Sequence, residues 1–192
     1  MTDAHEAADQ RWSAQFPHLF RTQPFSWGGM GDGRLEIAFS TATPPDELIG
    51  NVKIISRCGD GIVVFETDRG WRNIPGGTRE AGETVLENAG RELAEEVGGR
   101  ITSSLDWIGA FRVDHSAAGR YRPHLPYPIS YWAYVAADVE LDSMPSNPAD
   151  GEQVTAVHVL PVADAIDFLA QFDDGPGLDI VRLAKALGLT PA

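Results

Sequence analysis

The sequence predicts an α/β fold, with strands on both sides of one amphipathic helix. Short runs rich in β-branched and aromatic residues recur along the chain and are separated by glycine turns, as in 34–40, 50–57 and 61–67. A helical pattern occupies residues 84–97, and two further apolar stripes at helical spacing lie near the end of the chain. We therefore expect a β-sheet with helices packed against it.

The chain is long enough for one domain with extensions. Its 192 residues are 43% hydrophobic, which suffices for a sizeable core. Residues 1–45 predict an N-terminal extension that packs on the domain as a helix, ending near Pro17, and a strand. Residues 46–192 predict the main domain, with C-terminal helices at 162–172 and 177–187.

Charge and cysteine content exclude several classes of protein. The formal net charge of -13 would repel nucleic-acid phosphates and anionic membranes, so we expect no partner of either kind. A small anionic substrate would need a metal and local arginines. The single cysteine, Cys58, excludes an internal disulfide and a four-cysteine zinc site. With no apolar run of spanning length and no signal-peptide pattern, we expect a reducing, cytoplasmic location.

The remaining elements follow from turn and strand signals. Residues 24–33 predict a glycine-rich loop that lacks the Gly-Lys-Ser/Thr of a phosphate loop. The glycine turn at 58–61 predicts a hairpin between the strands 50–57 and 61–67. Later strands are predicted at 105–113, 129–139 and 154–160.

The stretch GGTREAGETVLENAGRELAEEVGG, residues 76–99, is the most informative part of the sequence. Thr84 and Glu87 are spaced as a capping box, and Gly98 stands where a left-handed residue ends a helix. An apolar stripe runs along the helix at Val85, Ala89, Leu93 and Val97. Gly90 costs about 1 kcal/mol against alanine in a helix interior and predicts a close backbone approach.

Three carboxylates share another face of this helix. Glu92, Glu95 and Glu96 are spaced i, i+3 and i+4, so they should converge on one spot. Like charges packed together require a cation, and carboxylate oxygens suit Mg²⁺ or Mn²⁺. A solvated acidic helix face would carry the same residues, so the spacing alone leaves both interpretations open.

The wider pattern resembles the signature of the Nudix hydrolases. Gly77, Glu83, Arg91 and the three glutamates stand at the signature's positions; its last, aliphatic position is taken by Gly99, which should shift only the turn into the next strand. The resemblance implies an α/β/α sandwich with a central mixed β-sheet and a catalytic loop–helix–loop.

The same resemblance implies a metal-dependent hydrolase that cleaves a diphosphate linkage in a nucleoside diphosphate derivative. Glu92, Glu95 and Glu96 would hold the metal, with a backbone carbonyl of Gly76 or Gly77 and, by its place in the chain, Glu152. One carboxylate would take the proton of the attacking water, and Arg91 would pair with Glu83 to brace the loop. ADP-ribose, nucleoside triphosphates, dinucleotides and nucleotide sugars all stay open as substrates.

The long polar loop at residues 114–128 predicts substrate contacts, because loops of this length in compact domains tend to be functional. Arginines suit phosphate clamping and tyrosines suit stacking on a base or sugar. An ordinary solvated loop is the alternative. The predicted substrate-binding residues are Arg120, Arg122, Tyr121, Tyr127 and, at the start of the signature, Arg79.

Two other functions remain in view. A Nudix module that binds a nucleotide without cleaving it, as a sensor or regulator, would usually have lost signature residues, and here Arg91 and the glutamates are present. An isopentenyl diphosphate isomerase shares the signature but needs a catalytic cysteine, and Cys58 lies on a predicted hairpin before it. We expect a small nucleotide diphosphate as the partner and leave a homodimer open.

Overall fold

The computed structural model describes residues 3–26, 34–116, 118–147, 153–172 and 175–192. The elements are α1 Asp3–Gln15, β1 Gln23–Ser26, β2 Arg34–Ser40, β3 Ile49–Cys58, β4 Gly61–Thr67, β5 Arg72–Asn73, β6 Gly76–Thr78, α2 Val85–Val97, β7 Gly99–Ile101, β8 Asp106–Asp114, β9 Ile129–Leu141, β10 Val154–Leu160, α3 Val162–Ala170 and α4 Pro176–Ala186. The predicted helices and main strands are present. The glycine-rich loop predicted at 24–33 begins as β1, and residues 27–33 lie outside the described part.

The strands form one mixed sheet in the order β1-β2-β8-β9-β3-β4-β10, with β5, β6 and β7 paired beside it. Within the described residues, β3 and β9 are the parallel pair and the other paired strands are antiparallel. A parallel pair needs a crossover connection, and the chain between β3 and β9 contains α2. The predicted mixed sheet is confirmed.

Helices cover both faces of the sheet. On one face Ala89, Leu93 and Val97 of α2 join an apolar cluster with the strands. On the other face α3 and α4 pack into a second cluster, which also contains Phe16 and Leu19 from the segment after α1. The three layers confirm the predicted α/β/α sandwich, and α1 ends before Pro17 as predicted.

A gap between two central strands positions the site. β3 and β4 pair only near their turn, at Arg57↔Ile62 and Cys58↔Gly61. Further along β3, β6 takes over this edge, with Lys53 opposite Gly76. The resemblance implied a loop here, and the structure contains a short strand. As a result, the residues that begin the signature lie directly against β3.

Arg57 ties distant parts of the chain to β3. Its Nε lies 2.6 Å from Asp138 of β9, and its Nη1 lies 2.8 Å from Asp106 of β8. The same Nη1 donates to the carbonyl of Leu189, beyond α4, at 3.4 Å. One guanidinium therefore links three strands and the C-terminal segment.

The N-terminal extension is part of the sheet and its surroundings. β2 pairs with β8, and β1 continues the sheet as its outermost strand. Asp9 of α1 accepts hydrogen bonds from the hydroxyls of Ser40 and Thr41, at 2.6 and 2.7 Å. The division at residue 45 stays a prediction. None of the described helices is long and apolar enough to cross a membrane.

Candidate active site

The helix that carries the glutamates begins and ends as its sequence predicts. Thr84 accepts from the amide of Glu87, and the Glu87 side chain accepts from Thr84, so both halves of the capping box are present. Gly98 adopts a left-handed conformation at φ 67° and ends the helix. The expectation for Gly90 is wrong, because a Cβ atom there would meet nothing within 4 Å. Helix α2 is thus fixed at both ends by local interactions.

Arg91 lies at the centre of the acidic groups. Its Nε and Nη2 contact the two carboxylate oxygens of Glu83 at 2.7 and 3.2 Å, a two-pronged pair of the kind predicted. Its Nη1 lies 3.0 Å from Glu92 and 3.1 Å from Glu95. Nη2 also donates to the carbonyl of Thr78 in β6 at 3.1 Å. The guanidinium therefore joins the loop to the helix and separates the like charges.

These contacts lower the pKa of one glutamate, whereas burial raises the pKa of another. Hydrogen bonding to Arg91 lowers the pKa of Glu83, and the same bond raises the pKa of Arg91 above its ordinary value. Burial raises the pKa of Glu92, although Arg91 and Lys53 oppose that effect. Burial disfavours the charged form of a carboxyl, so a cation beside Glu92 would favour that form.

The glycines of β6 bring the backbone against the glutamates. The amide of Gly76 donates to Glu96 at 2.8 Å. At Gly77 a Cβ atom would lie 2.5 Å from Oε1 of Glu92, so the carboxylate occupies the space that any larger side chain would need. The predicted metal-site residue Gly77 and the predicted ligand Glu92 are therefore neighbours.

The sequence analysis expected all three glutamates to converge on one spot; in the structure Glu92 and Glu95 share a contact at Nη1 of Arg91, and Glu96 lies at the Gly76 amide. Among the described residues, no three His, Cys, Asp or Glu side chains form a group that could hold a metal ion. In its contact with Arg91 or Gly76, each carboxylate gains a donor and avoids the repulsion that convergence of three like charges would cost.

The donor set nevertheless fits a hard divalent cation. Carboxylates and backbone carbonyls are the oxygen ligands that Mg²⁺ and Mn²⁺ take in proteins. Glu92 is the most enclosed of the carboxylates in contact with Arg91, with its side chain 12% exposed. The carboxylates of Glu92, Glu95 and Glu96 are thus ligands of the kind that suits a hard divalent cation.

The loop predicted to bind substrate spans 115–128, between β8 and β9, and its arginines lie against its own tyrosines. The guanidinium carbon of Arg120 is 5.4 Å from the centre of the Tyr127 ring, and that of Arg122 is 5.4 Å from the Tyr121 ring. Arg120 also donates to the carbonyl of Pro123 at 2.8 Å. Both arginines and Tyr127 are exposed to solvent.

Contacts at two points hold this loop beside the signature. His124 lies 3.0 Å from the carbonyl oxygen of Arg79 through its Nε2. Leu125 packs at Gly50, whose carbonyl accepts from the Arg79 amide at 3.0 Å. The loop therefore lies against the segment that leads into helix α2.

Arg79 itself is engaged by the protein. Its guanidinium donates to the carbonyls of Asp46, at 2.7 Å, and Ile49, at 3.1 Å, and to the carbonyl of Glu83. It also pairs with the Asp46 carboxylate at 3.1 Å. In the structure Arg79 braces the loop before α2, and its predicted contact with substrate stays a prediction.

A family comparison accounts for this arrangement. The family model described as the NUDIX domain matches residues 51–179, which is most of the chain. The chain belongs to the Nudix family. It is a pyrophosphohydrolase of that family, and its substrates are nucleoside diphosphate derivatives. No curated protein sequence matches this chain.

Solved structures share the Nudix fold of this chain. A NUDIX hydrolase from Nitrosomonas europaea matches at TM-score 0.55 and 17% identity, over 74% of this chain and 93% of its own. A protein described as an ADP compounds hydrolase matches at TM-score 0.51 and 17% identity, over 87% and 91%. A mutant of the Bacillus subtilis pyrophosphohydrolase BsRppH matches at TM-score 0.50 and 23% identity, over 66% and 72%. At these identities the likeness shows the fold.

The Nudix helix carries a further residue that the sequence analysis missed. Asn88 is fully buried, and its amide donates to the carbonyl of Thr78 at 3.2 Å and to Glu83 at 3.4 Å. Asn88 therefore fixes the same two groups that Arg91 contacts. In the sequence, the sign of this role is that Asn88 is a polar residue next to Ala89 of the apolar stripe. Glu152, the predicted extra metal ligand, lies outside the described residues.

Proposed function

We propose that this Nudix protein hydrolyses the phosphoric anhydride of a nucleoside diphosphate derivative with Mg²⁺ or Mn²⁺ held by Glu92, Glu95 and Glu96. The observation that carries the proposal is the position of Arg91, which joins Glu83 of the loop to two of the three glutamates. An acidic face that served only solubility would not need a half-buried arginine, a buried asparagine and, at Gly76 and Gly77, backbone in close contact with its carboxylates.

The residues of the chain have separate tasks in this reaction. Glu92, Glu95 and Glu96 would hold the metal, which would supply positive charge to offset the negative charge that builds up on the phosphates. Arg91 and Glu83 hold the loop against the helix, so that the carboxylates stay in register with β6. One of the three carboxylates accepts the proton of the attacking water. The oxygen of that water forms a new bond to phosphorus, and the bridging anhydride oxygen leaves with the other phosphate.

The loop between β8 and β9 supplies the contacts that choose the substrate. Its position supports this role, because His124 and Leu125 hold it beside the signature. Arg120 and Arg122 offer exposed guanidinium groups for phosphate oxygens, and Tyr121 and Tyr127 offer ring faces for a base or sugar. Among the solved structures of this fold, one is called a pyrophosphohydrolase and another an ADP compounds hydrolase. These names support the anhydride class without selecting one substrate.

A substrate panel tests the proposal directly. Purified protein with Mg²⁺ is assayed against ADP-ribose, nucleoside triphosphates, dinucleoside polyphosphates and nucleotide sugars, and the nucleotide and phosphate products are separated. We expect turnover of at least one substrate, and its loss in excess chelator. Binding of a nucleotide with no turnover of any panel member would favour the non-catalytic module instead.

Single isosteric changes separate catalysis from folding. Glu92→Gln, Glu95→Gln and Glu96→Gln should each slow turnover by roughly a hundredfold or more, because removal of a metal ligand costs several kcal/mol of charge stabilisation. Glu87→Gln is the matched control: it lies on the same helix, is exposed, and keeps its capping role because glutamine also completes a capping box. Equal loss of rate in this control would contradict the assignment.

A double variant tests the substrate loop. Arg120→Ala with Arg122→Ala should raise KM for the best panel substrate and reduce the salt dependence of binding, because exposed arginines act by steering and positioning. The Arg182→Ala variant, on α4, removes an exposed arginine elsewhere and should leave KM unchanged. An unchanged KM and salt slope in the double variant would make the loop an ordinary solvated surface.

A further inference from the structure

Asn88 is a polar side chain of helix α2 that has no task in the reaction described above. It is fully buried and lies one helical turn before Glu92. Residues 88, 92 and 95 are spaced i, i+4 and i+7, so Asn88 shares a face of the helix with two proposed metal ligands. A polar group that is buried on this face needs a reason other than solubility.

The neighbours of Asn88 fix the orientation of its amide. Its Nδ2 lies 3.2 Å from the carbonyl oxygen of Thr78 and 3.4 Å from Oε2 of Glu83. Both neighbours are acceptors, so the NH₂ group and not the oxygen lies on this side. The oxygen, Oδ1, is buried, and no described residue donates a hydrogen bond to it. The side chain therefore acts as a donor to β6 and to the loop before the helix.

Neither acceptor depends on Asn88 alone. The carbonyl of Thr78 also accepts from Nη2 of Arg91 at 3.1 Å, and Oε2 of Glu83 also accepts from the amide of Glu80 at 2.7 Å. Loss of the Asn88 amide would leave a donor at each of them, and it would remove an acceptor that is buried without a protein donor. For the stability of the folded chain alone, an asparagine here therefore gains little.

The other brace of this loop, Arg91, contacts the same carboxylates as a metal would. Its Nη1 lies 3.0 Å from Glu92 and 3.1 Å from Glu95. A guanidinium and a divalent cation at the same carboxylates repel each other. Because the guanidinium is rigid and planar, a displacement at Nη1 also disturbs the contact of Nη2 with Thr78. Arg91 therefore braces β6 less firmly when these glutamates hold a metal.

The place of β6 matters for the glutamates themselves. The amide of Gly76 donates to Glu96 at 2.8 Å, and a Cβ at Gly77 would lie 2.5 Å from Oε1 of Glu92. Both glycines directly precede Thr78, whose carbonyl Asn88 contacts. A shift of β6 away from the helix would therefore disturb two of the three proposed ligands.

We propose that Asn88 is a positioning residue that keeps β6 and the loop at Glu83 against helix α2 while the glutamates hold the metal. Its amide is neutral, so a cation at the glutamates does not repel it as it repels Arg91. Its two acceptors belong to the same residues that Arg91 contacts, so it maintains those links when Arg91 is displaced. The inference rests on the proposed function and assigns one further residue to its metal site.

Metal binding to two variants tests this role without turnover. Asn88→Ala and Asn88→Leu both remove the donor, and their side chains are smaller and larger than asparagine. Free Mn²⁺ is titrated by electron paramagnetic resonance, and melting temperature is measured in excess chelator. We expect both variants to bind Mn²⁺ about 10- to 100-fold more weakly than the parent, as for other groups that orient metal ligands. Without metal, Asn88→Ala should melt no more than about 8 °C below the parent.

The control and the contrary outcomes separate this inference from the proposed function. Leu86→Ala changes an exposed side chain on the same helix and should bind Mn²⁺ as the parent does. Parent-like affinity in both Asn88 variants would overturn the inference alone, and so would a loss in only one of them, because that would follow side-chain size. A parent that binds no Mn²⁺ would overturn the proposed metal site and this inference with it.

Hydrogen exchange tests where the brace acts. Exchange of peptides that cover residues 76–83 is followed by mass spectrometry in Mg²⁺ and in chelator. In the parent, Mg²⁺ should leave this segment as protected as before or more so. In Asn88→Ala, Mg²⁺ should speed its exchange several-fold, because Arg91 is then the remaining brace and the cation displaces it. An equal response to Mg²⁺ in parent and variant would show that Arg91 suffices, which would overturn the inference.

Discussion

Breaking the pair between Arg91 and Glu83 should destabilise the protein more than breaking an exposed ion pair. The pair is two-pronged, at 2.7 and 3.2 Å, and its side chains are only 24% and 16% exposed. We therefore expect a coupling free energy of about 2 kcal/mol, in the upper half of the range of about 0.5–3 kcal/mol for interacting neighbours. Arg100 and Glu140 form the control pair, with side chains 58% and 60% exposed. Their coupling should stay below about 1 kcal/mol.

The assay is a double-mutant cycle on each pair. Urea unfolding of the parent, Glu83→Ala, Arg91→Ala and the double variant gives the coupling free energy, provided that the m-value stays constant. In a chain of 192 residues, about 1 kcal/mol corresponds to roughly 2–4 °C of melting temperature, so the double variant should melt about 4–8 °C above the additive expectation. Steady-state kcat/KM on the best substrate should also be non-additive. A coupling no larger than that of the control pair would refute the bracing role.

Three smaller perturbations have distinct expected outcomes. Gly90→Ala should raise the free energy of unfolding in urea by about 0.5–1 kcal/mol, because alanine is the better helix former and its Cβ would meet nothing within 4 Å. A loss of stability would show that the added Cβ does clash with a neighbour. Gly77→Ala should reduce kcat much more than the melting temperature, because the added Cβ would lie 2.5 Å from Oε1 of Glu92 and push the carboxylate away. An unchanged kcat would argue against a contact between residue 77 and Glu92. Burial lowers the pKa of His115 in the folded protein below its ordinary value of 6.5. As pH drops below about 6.5, the unfolded chain therefore binds a proton more readily than the folded protein, and the free energy of unfolding should fall. When the midpoint of urea unfolding is plotted against pH, His115→Gln should show a smaller slope than the parent. An identical slope would show that other groups cause the pH dependence.

The elements that the sequence predicted well are those set by neighbours in the chain. The helix at 84–97 depends on Thr84, Glu87 and Gly98, all within its own first and last turns. The pair of Arg91 with Glu83 was predicted from the resemblance and is confirmed at 2.7 Å. Local spacing and a complete signature carry this information, because the interacting groups lie within about two turns of each other.

The features that were missed depend on contacts between distant segments. β6 exists because β4 diverges from β3 and leaves an edge that 76–78 can pair with. Arg79 finds its acceptors at Asp46 and Ile49, 33 and 30 residues earlier in the chain, which no local pattern indicates. The sequence analysis expected the glutamates to converge because their spacing places them on one face of the helix. The spacing does not show which hydrogen-bond donor each carboxylate will contact.

The substrate loop shows a different limit of sequence analysis. Its composition correctly located arginines and tyrosines in one exposed segment. It did not predict that Arg120 would lie against Tyr127 and Arg122 against Tyr121, because such stacking depends on how an irregular backbone turns. The contact between His124 and the carbonyl of Arg79 joins residues 45 positions apart in the chain, so the sequence did not predict it either.

The contacts of Arg57 have a consequence for the order in which the protein assembles. Its partners Asp106, Asp138 and Leu189 follow it by 49, 81 and 132 residues. A chain emerging from the ribosome makes β3 early, yet β3 must wait for β9 before its parallel edge is covered, and Arg57 lacks its most distant partner until Leu189 has been made. Contacts of such long sequence separation slow folding and leave strand edges open to wrong partners. Synthesis of residues 106 to 189 therefore sets the moment at which the central sheet of the nascent protein is secured.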